Sequence, residues 1–384
     1  MFKKSFALLT LLAGLVPVSS LAAPFYTVEV LHGLEDNYNT QAFGLNDHGQ
    51  VVGISIDNND NFSALFWENG TTTDLGLTGL YGGYARAINN NSQVVGFQWD
   101  DFPFDESPYV WQSGSLTDLS HPDNEYSKSY AINNNGQVLI TSTYGSFSGD
   151  KSFIWSQGSG FTEIDHSGLG DTQSVTMRAL NDTGQIAGDF RNADGDAQPF
   201  FRDSDGTYHI IPLTGDDAFV QGINENGEVV GFIYKLEYDP DTLELISEDQ
   251  IAFKWSEADG LTILEDGGYG FSNAYDLSDD GVIVGRVETE DYWQIGTLWE
   301  NGNLLELNNL ISLNDPIFGL LHIADAHGIN KWGQIAASGT LLETGEQVAL
   351  LLTPEGLVLP VPAPAALGLM IMGTGLLLYR RRRP

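Results

Sequence analysis

The apolar residues of this chain fall in short runs separated by polar turns, and the runs repeat. One half of the repeat reads Ala-x-small-Ile/Leu-Asn, then a polar turn with Gly, then Gln-Val-Val-Gly. It appears as Ala42 to Asn46 with Gly49 to Gly53, and as Ala85 to Asn89 with Gln93 to Gly96. It returns at Tyr130 to Asn133, Arg178 to Asn181, Gln221 to Asn224, Ala274 to Ser278 and Ala326 to Asn330, each with its own Gly turn and apolar run. The other half reads Ala-Phe/Leu-x-Trp, a Gly turn, then Thr-Asp-Leu, as in Ala64 to Trp67, Asn69-Gly70 and Thr73 to Leu75. Trp111, Trp155, Trp255 and Trp299 hold the same place in later copies, while the fourth copy has Arg202 there.

Each unit predicts four short strands. The first ends in Ile-Asn, and Asn with Gly supplies the tight turn that follows. Val-Val-Gly is the second strand, with Gly allowing close backbone approach. The alternating Ala-Phe-x-Trp run is the third, and Asn-Gly pairs such as Asn69-Gly70 and Asn301-Gly302 lead into the fourth. The Asn or Ser positions 46, 89, 133, 181, 224, 278 and 330 are 43 to 54 residues apart, the period of propeller blades. The last unit lacks a clear fourth strand, but Tyr26 to Leu31 precedes the first and has the fourth-strand pattern. The expectation is an all-β, seven-bladed β-propeller over residues 24–358, closed by that N-terminal strand, because closure removes exposed sheet edges. An open β-solenoid or a sandwich is the alternative. The repeated Trp residues are expected to pack between blades, and the repeated Asn to form turns.

The two ends break this pattern. Residues 1–23 have Lys3 and Lys4, an apolar stretch from Phe6 to Val16, and small residues up to Ala23, the layout of a cleaved secretory signal read by the export machinery. Residues 359–384 hold Val361-Pro362-Ala363-Pro364, a short apolar segment, and Arg380, Arg381, Arg382 and Arg383. The apolar segment is marginal for a membrane span, and the arginines favour a cytoplasmic end. This tail resembles the PEP-CTERM sorting signal, with Ala363 where Glu is commonest. The resemblance implies a transient stay in the inner membrane and an exosortase-like sorting enzyme as partner, with the cell surface or exterior as destination. A plain C-terminal anchor is the alternative. Residues 25–357 resemble the HAF repeat family of extracellular bacterial proteins, which implies location and architecture rather than chemistry.

Composition narrows the function classes. There are 52 acids against 16 Lys and Arg among 384 residues, a formal charge of −36, and six of those cations sit at the two ends. A domain this acidic repels nucleic acid. With no Cys, thiol catalysis, thiolate metal sites and a lipoprotein anchor are excluded. The seven His residues show no metal-ligand spacing. Gly145-Ser-Phe-Ser-Gly149 has Phe147 where a nucleophile elbow needs Ser. No cofactor is expected, and calcium is the one metal the composition suggests. Asp57 and Asp60, and Asp194 and Asp196, sit in oxygen-rich loops of the kind Ca²⁺ favours, against the reading of solvated acidic loops. The function expected is that of a non-catalytic surface or matrix protein contacting extracellular polysaccharide or another envelope component. A glycan-active hydrolase and a coat protein without ligand are the alternatives.

Overall fold

The computed structural model describes residues 24–34, 37–79, 81–101, 105–121, 127–142, 151–213, 217–238 and 245–357. The export segment ending at Ala23 lies outside the described residues. So do residues 143–150 and the tail with Val361, Pro362, Pro364 and Arg380 to Arg383.

The described residues form 28 strands, with 3-10 turns at Ser167–Leu169 and Leu307–Leu310; no helix among them is long and apolar enough to cross a membrane. The first strands are β1 (Tyr26–Leu31), β2 (Asn37–Leu45), β3 (Val51–Asp57), β4 (Phe62–Glu68) and β5 (Thr71–Asp74). Strands β2 to β5 form one antiparallel meander, and the same four-stranded meander recurs over residues 83–118, 127–163 and 172–210. Two more, over 217–263 and 271–306, are joined into an eight-stranded sheet by a single parallel pair, Gln250 with Phe271. The last sheet has Leu321–Ile329, Ile335–Leu341 and Gln347–Pro354, and takes its fourth strand from the other end of the chain. β1 pairs with it through six residues, from Tyr26 opposite Pro354 to Leu31 opposite Ala349.

The core lies between sheets. Val52, Ala64 and Phe66 of the first meander pack with Ala85, Val94, Tyr109 and Trp111 of the second. Leu31, Ala336 and Ala349 of the last sheet pack with Ala42, Leu65 and Trp67 of the first. Each large apolar side chain buried there contributes about 1.5–3 kcal/mol. The repeated Trp stands opposite the start of the second strand, as Trp67 does opposite Val51 and Trp299 opposite Ile283. Trp67, Trp111, Trp255 and Trp299 are buried and Trp155 is half-buried. The Trp67 indole N–H donates to the His32 carbonyl at 2.8 Å. These rings are structural, and no row of them stands free for sugar stacking.

The turn after the first strand works differently from the sequence expectation. Positive φ falls on Gly49 (+73°), and on Ser92 (+57°) in the one unit that lacks the Gly. The Asn acts through its side chain instead: Asn46 Oδ1 accepts from the backbone N–H of His48 at 3.0 Å and of Gln50 at 3.1 Å.

Candidate functional site

The innermost strand of every unit carries the site. In β2 the ladder slips between Ala42 and Gly44, which leaves Phe43 unpaired. The same slip recurs at Arg86, Tyr130 and Arg178, and again at Gln221, Tyr275 and His327. A β-bulge takes its extra residue out of the ladder and re-aims the side chain. Here the bulged side chains all reach one central pocket of about 120 Å³, which they line together. That volume holds several waters. Each bulged residue stands three positions before the repeated Asn or Ser, at the variable x of Ala-x-small. The small residue that follows is set by crowding of the inner strands. A Cβ on Gly44 would lie 3.0 Å from the Arg86 carbonyl oxygen of the next unit, and one on Gly222 would lie 3.0 Å from that of Tyr275.

Two positions further along come the repeated Ile and Leu residues, among them Ile88, Ile132 and Ile329. They line a second cavity of about 410 Å³, together with the turn residues. Around its rim the repeated Asn residues stitch unit to unit. Asn46 Nδ2 donates to the Asn89 carbonyl at 2.9 Å, Asn89 to Asn133 at 2.9 Å, and Asn133 to Asn181 at 3.0 Å. Asn181 donates to Asn224 at 3.0 Å and Asn224 to Ser278 at 3.1 Å. Ser278 is too short to continue, and Asp276 substitutes: its Oδ2 accepts from the Ile329 N–H at 2.9 Å. Asn330 then donates to the Asn46 carbonyl at 3.0 Å and returns the circuit to its start. Side chains one position later, Asp47, Asp182, Glu225 and Asp279 among them, make this rim acidic.

The bulge pocket has the opposite character. None of its lining side chains is a carboxylate. All seven are half-buried, and the lining surface they keep faces the pocket. Arg178 is paired with Asp189, which is buried at 6% exposure. Arg86 has no hydrogen bond or ion pair among the described residues; its guanidinium lies over the Phe43 ring, 5.1 Å from the centroid. Burial lowers the Arg86 pKa from its ordinary value, yet a guanidinium stays charged in proteins. Burial pushes the His327 imidazole down to about 4, with Asp325 opposing and Arg86 and Arg286 adding to the fall, so it is neutral at neutral pH. It stacks on Tyr275 at 4.7 Å, whose hydroxyl burial pushes up to about 12. Arg286 pairs with Asp325 at 3.2 Å behind this stack.

An aromatic cluster adjoins the pocket on the side away from the Asn circuit. Phe43 stacks on Tyr84 at 5.6 Å, and Tyr84 meets Phe62 at 5.6 Å, Phe97 at 5.3 Å and Trp99 at 5.2 Å. Phe43, Phe62, Tyr84 and Trp99 are half-buried and Phe97 is buried. Lys128 lies 4.6 Å from the Phe97 ring centroid and pairs with Glu106 at 2.8 Å.

The four aspartates singled out by sequence lie elsewhere, in second-to-third-strand hairpins of the first and fourth units. Asp57 caps its own turn: Oδ1 accepts from the Asn59 N–H at 2.7 Å and the Asn61 N–H at 2.9 Å. The Asn61 side-chain amide, which donates to Oδ2 at 2.9 Å, and then these backbone bonds hold its carboxyl below the usual range. Asp60 has φ +61° in the same turn. In the other hairpin Asn192 Oδ1 accepts from the N–H groups of Asp194 at 3.0 Å and Asp196 at 2.9 Å. The two pairs are not brought together, and among the described residues no group of three or more His, Asp or Glu could hold a metal ion. The pocket residues were passed over in the sequence because they are the variable letter of the motif. That variation inside a constant frame was the available signal.

No protein-family model matches the chain, and no curated protein matches it. Solved structures do. The polysaccharide lyase Uly1 superposes with a TM-score of 0.52 at 8% identity, over 85% of this chain and 100% of that one. A catalytically inactive virginiamycin B lyase from Staphylococcus aureus, solved with quinupristin, gives 0.51 at 10% identity over 85% and 99%. The fold is a β-propeller. At such identities the likeness concerns the fold alone.

Proposed function

We propose that this chain is an exported, surface-anchored or matrix-associated seven-bladed propeller that holds extracellular polysaccharide or another envelope component without catalysis. Counting the two meanders joined by Gln250 and Phe271 as separate blades gives seven, one per bulge and one per step of the Asn circuit. The return of that circuit to Asn46 and the pairing of β1 with Gln347–Pro354 favour a closed ring over a solenoid or sandwich. Export rests on residues 1–23 and anchoring on 359–384, as read from their sequence and the HAF and PEP-CTERM resemblances.

The observation that carries the binding reading is the aromatic cluster around Tyr84 and Trp99, half-buried and continuous with a polar pocket through Phe43. Ligand sites join aromatic surface to a few placed polar groups in this way, and flat rings take the apolar faces of sugars. It lies on the side of the second-to-third-strand hairpins and inter-blade connections, where the variable segments are. The test is a pull-down of host exopolysaccharide with the purified protein, with and without Ca²⁺, followed by product analysis. Retention of intact polysaccharide that falls at least roughly tenfold in Trp99→Ala is expected, since stacking aromatics act as hot spots. Retention unchanged in that variant overturns the site, and no retention at all leaves the coat-protein reading. Retention that requires Ca²⁺ and is weakened by Asp57→Asn with Asp60→Asn, or by Asp194→Asn with Asp196→Asn, locates the ion in that hairpin. Retention indifferent to chelator removes calcium. A second reading, a glycan-active enzyme, is favoured by neutral His327 beside Tyr275 in a pocket with guanidinium groups. Release of oligosaccharides in the same experiment selects it.

A further inference from the structure

We propose that the bulge pocket is an anion site, and that the group it takes is the carboxylate or sulfate of an acidic sugar in the polysaccharide held beside it. The inference rests on the binding reading above for the identity of the carrier, and on the pocket alone for the anion.

The first argument is composition against position. Acids outnumber Lys and Arg by 52 to 16 in this chain, so an arginine left without a carboxylate is not short of candidates. Arg178, Arg286 and Lys128 all have one. Arg86 has none among the described residues; Arg202 has none either, but it lies over the Tyr208 ring and away from this pocket. Half-buried against the Phe43 ring, the Arg86 guanidinium has only an aromatic face and the pocket beside it, and a charge so placed gains from an anion. Its persistence at the centre of the ring is accounted for if the compensating anion comes from outside. The second argument is the chemistry of the other positions. Every polar lining group, from Tyr130 and Tyr275 to Gln221 and Arg178, can donate a hydrogen bond, and none of the lining side chains is an anion. The seven variable positions thus collect donors and the carboxylate-free guanidinium of Arg86, beside an Arg178 already paired with Asp189, in a strongly acidic protein. The third argument is size. About 120 Å³ suits one charged group with its immediate ring atoms and not a polymer segment. The polymer would remain on the aromatic cluster, with Phe43 belonging to both. A planar fork of N–H donors is the geometry that recognises carboxylate and sulfate oxygens.

The full-length protein is titrated calorimetrically with glucuronate, with inorganic sulfate and with glucose, and thermal melting is recorded for the same samples. Glucuronate and sulfate are expected to bind and glucose not to. Arg86→Met should weaken glucuronate at least roughly tenfold, the scale of losing a charge-assisted pair. The same variant should melt at or above the wild-type temperature, because it removes an uncompensated charge. A purely structural arginine would instead lower the melting point and leave any binding unchanged. Arg86→Lys, which keeps the charge without the fork, should bind between the two and secures the test if the Met variant fails to fold. Polysaccharide retention without glucuronate or sulfate binding overturns the anion site while sparing the surface reading. Anion binding lost in Arg86→Met, without any polysaccharide retained, keeps the pocket and removes its assignment to a polymer. Anion binding unaffected in both variants places the ion elsewhere and overturns the proposal.

Discussion

His327 and Asp276 titrate in opposite senses within one corner of the ring, and both shifts originate in burial. The imidazole is pushed down to about 4, so between pH 6.5 and 4 the unfolded chain takes up a proton that the folded one refuses. Its contribution to stability is therefore present above pH 6.5 and is lost as pH falls toward 4. The Asp276 carboxyl is pushed up to about 6, so between pH 4 and 6 the folded chain keeps a proton that the unfolded one releases. That contribution falls as pH rises through the same window. The wild-type profile mixes the two, and a variant separates them. His327→Gln places at this bulge the residue that Gln221 already supplies at another. From pH 7 to 4.5 the wild type should lose up to about 3 kcal/mol more than the variant, at 1.36 kcal/mol per pKa unit. Urea denaturation across that range measures it. Parallel profiles would mean that burial, with Arg86 and Arg286 adding to it and Asp325 opposing, leaves the imidazole unshifted.

At the scale of the strand and its turn, the motif was legible but the work of its letters was not. Asn46 and its counterparts read as turn residues, and they do cap the turn. Their bond to the next unit, to a carbonyl 43 to 54 residues ahead or, from Asn330, 284 residues back, is not visible in any local propensity. The bulge was hidden for a similar reason: a two-residue alternation predicts a strand, not the register slip within it. Nature's exception at Ser278 indicates how to separate the two functions of Asn. The Ser278 hydroxyl accepts from the Val282 N–H at 3.2 Å, so it caps the turn, but it does not reach the next unit. Asn133→Ser should thus keep an acceptor for the Gln137 N–H but lose the stitch to Asn181, the Nδ2 bond to Gln137 Oε1 and the acceptor of the Asn135 N–H, about 1–2 kcal/mol in all. Asn133→Ala strips the acceptors of both the Asn135 and Gln137 N–H groups. It should cost about 1 kcal/mol more than the Ser variant, because the half-buried Gln137 N–H also loses its acceptor. Chemical denaturation midpoints check the order; equal losses would show that the cap kept by Ser adds nothing beyond the bonds both variants lose.

The whole molecule was the most legible level, because a period repeated along the chain carries its own topology. The blade order and the use of β1 in the last sheet follow from matching an orphan pattern to a missing one. What no period could reveal is how the variable positions converge, since that depends on ring closure. The closure itself makes a definite prediction. The two described ends meet: the Glu355 N–H donates to the Phe25 carbonyl at 2.7 Å. A short linker can therefore join residue 357 to residue 24. Reopening the chain between Ser113 and Gly114, an exposed turn inside the second meander, gives new ends that again share one sheet. The strand Ser115–Asp118 then takes the part that β1 plays now. Reopening instead between Leu77 and Thr78, in the connection after β5, leaves the ends in different sheets, with no strand exchanged and the ring held shut by side-chain packing and by bonds such as Asn46–Asn89 and the Phe62–Tyr81 backbone bond. If strand exchange is what closes the ring, the first permutant should melt within about 5 °C of the parent and the second roughly 10 °C or more below it. Equal melting temperatures would mean that packing and the Asn circuit suffice, and that β1 merely covers an edge.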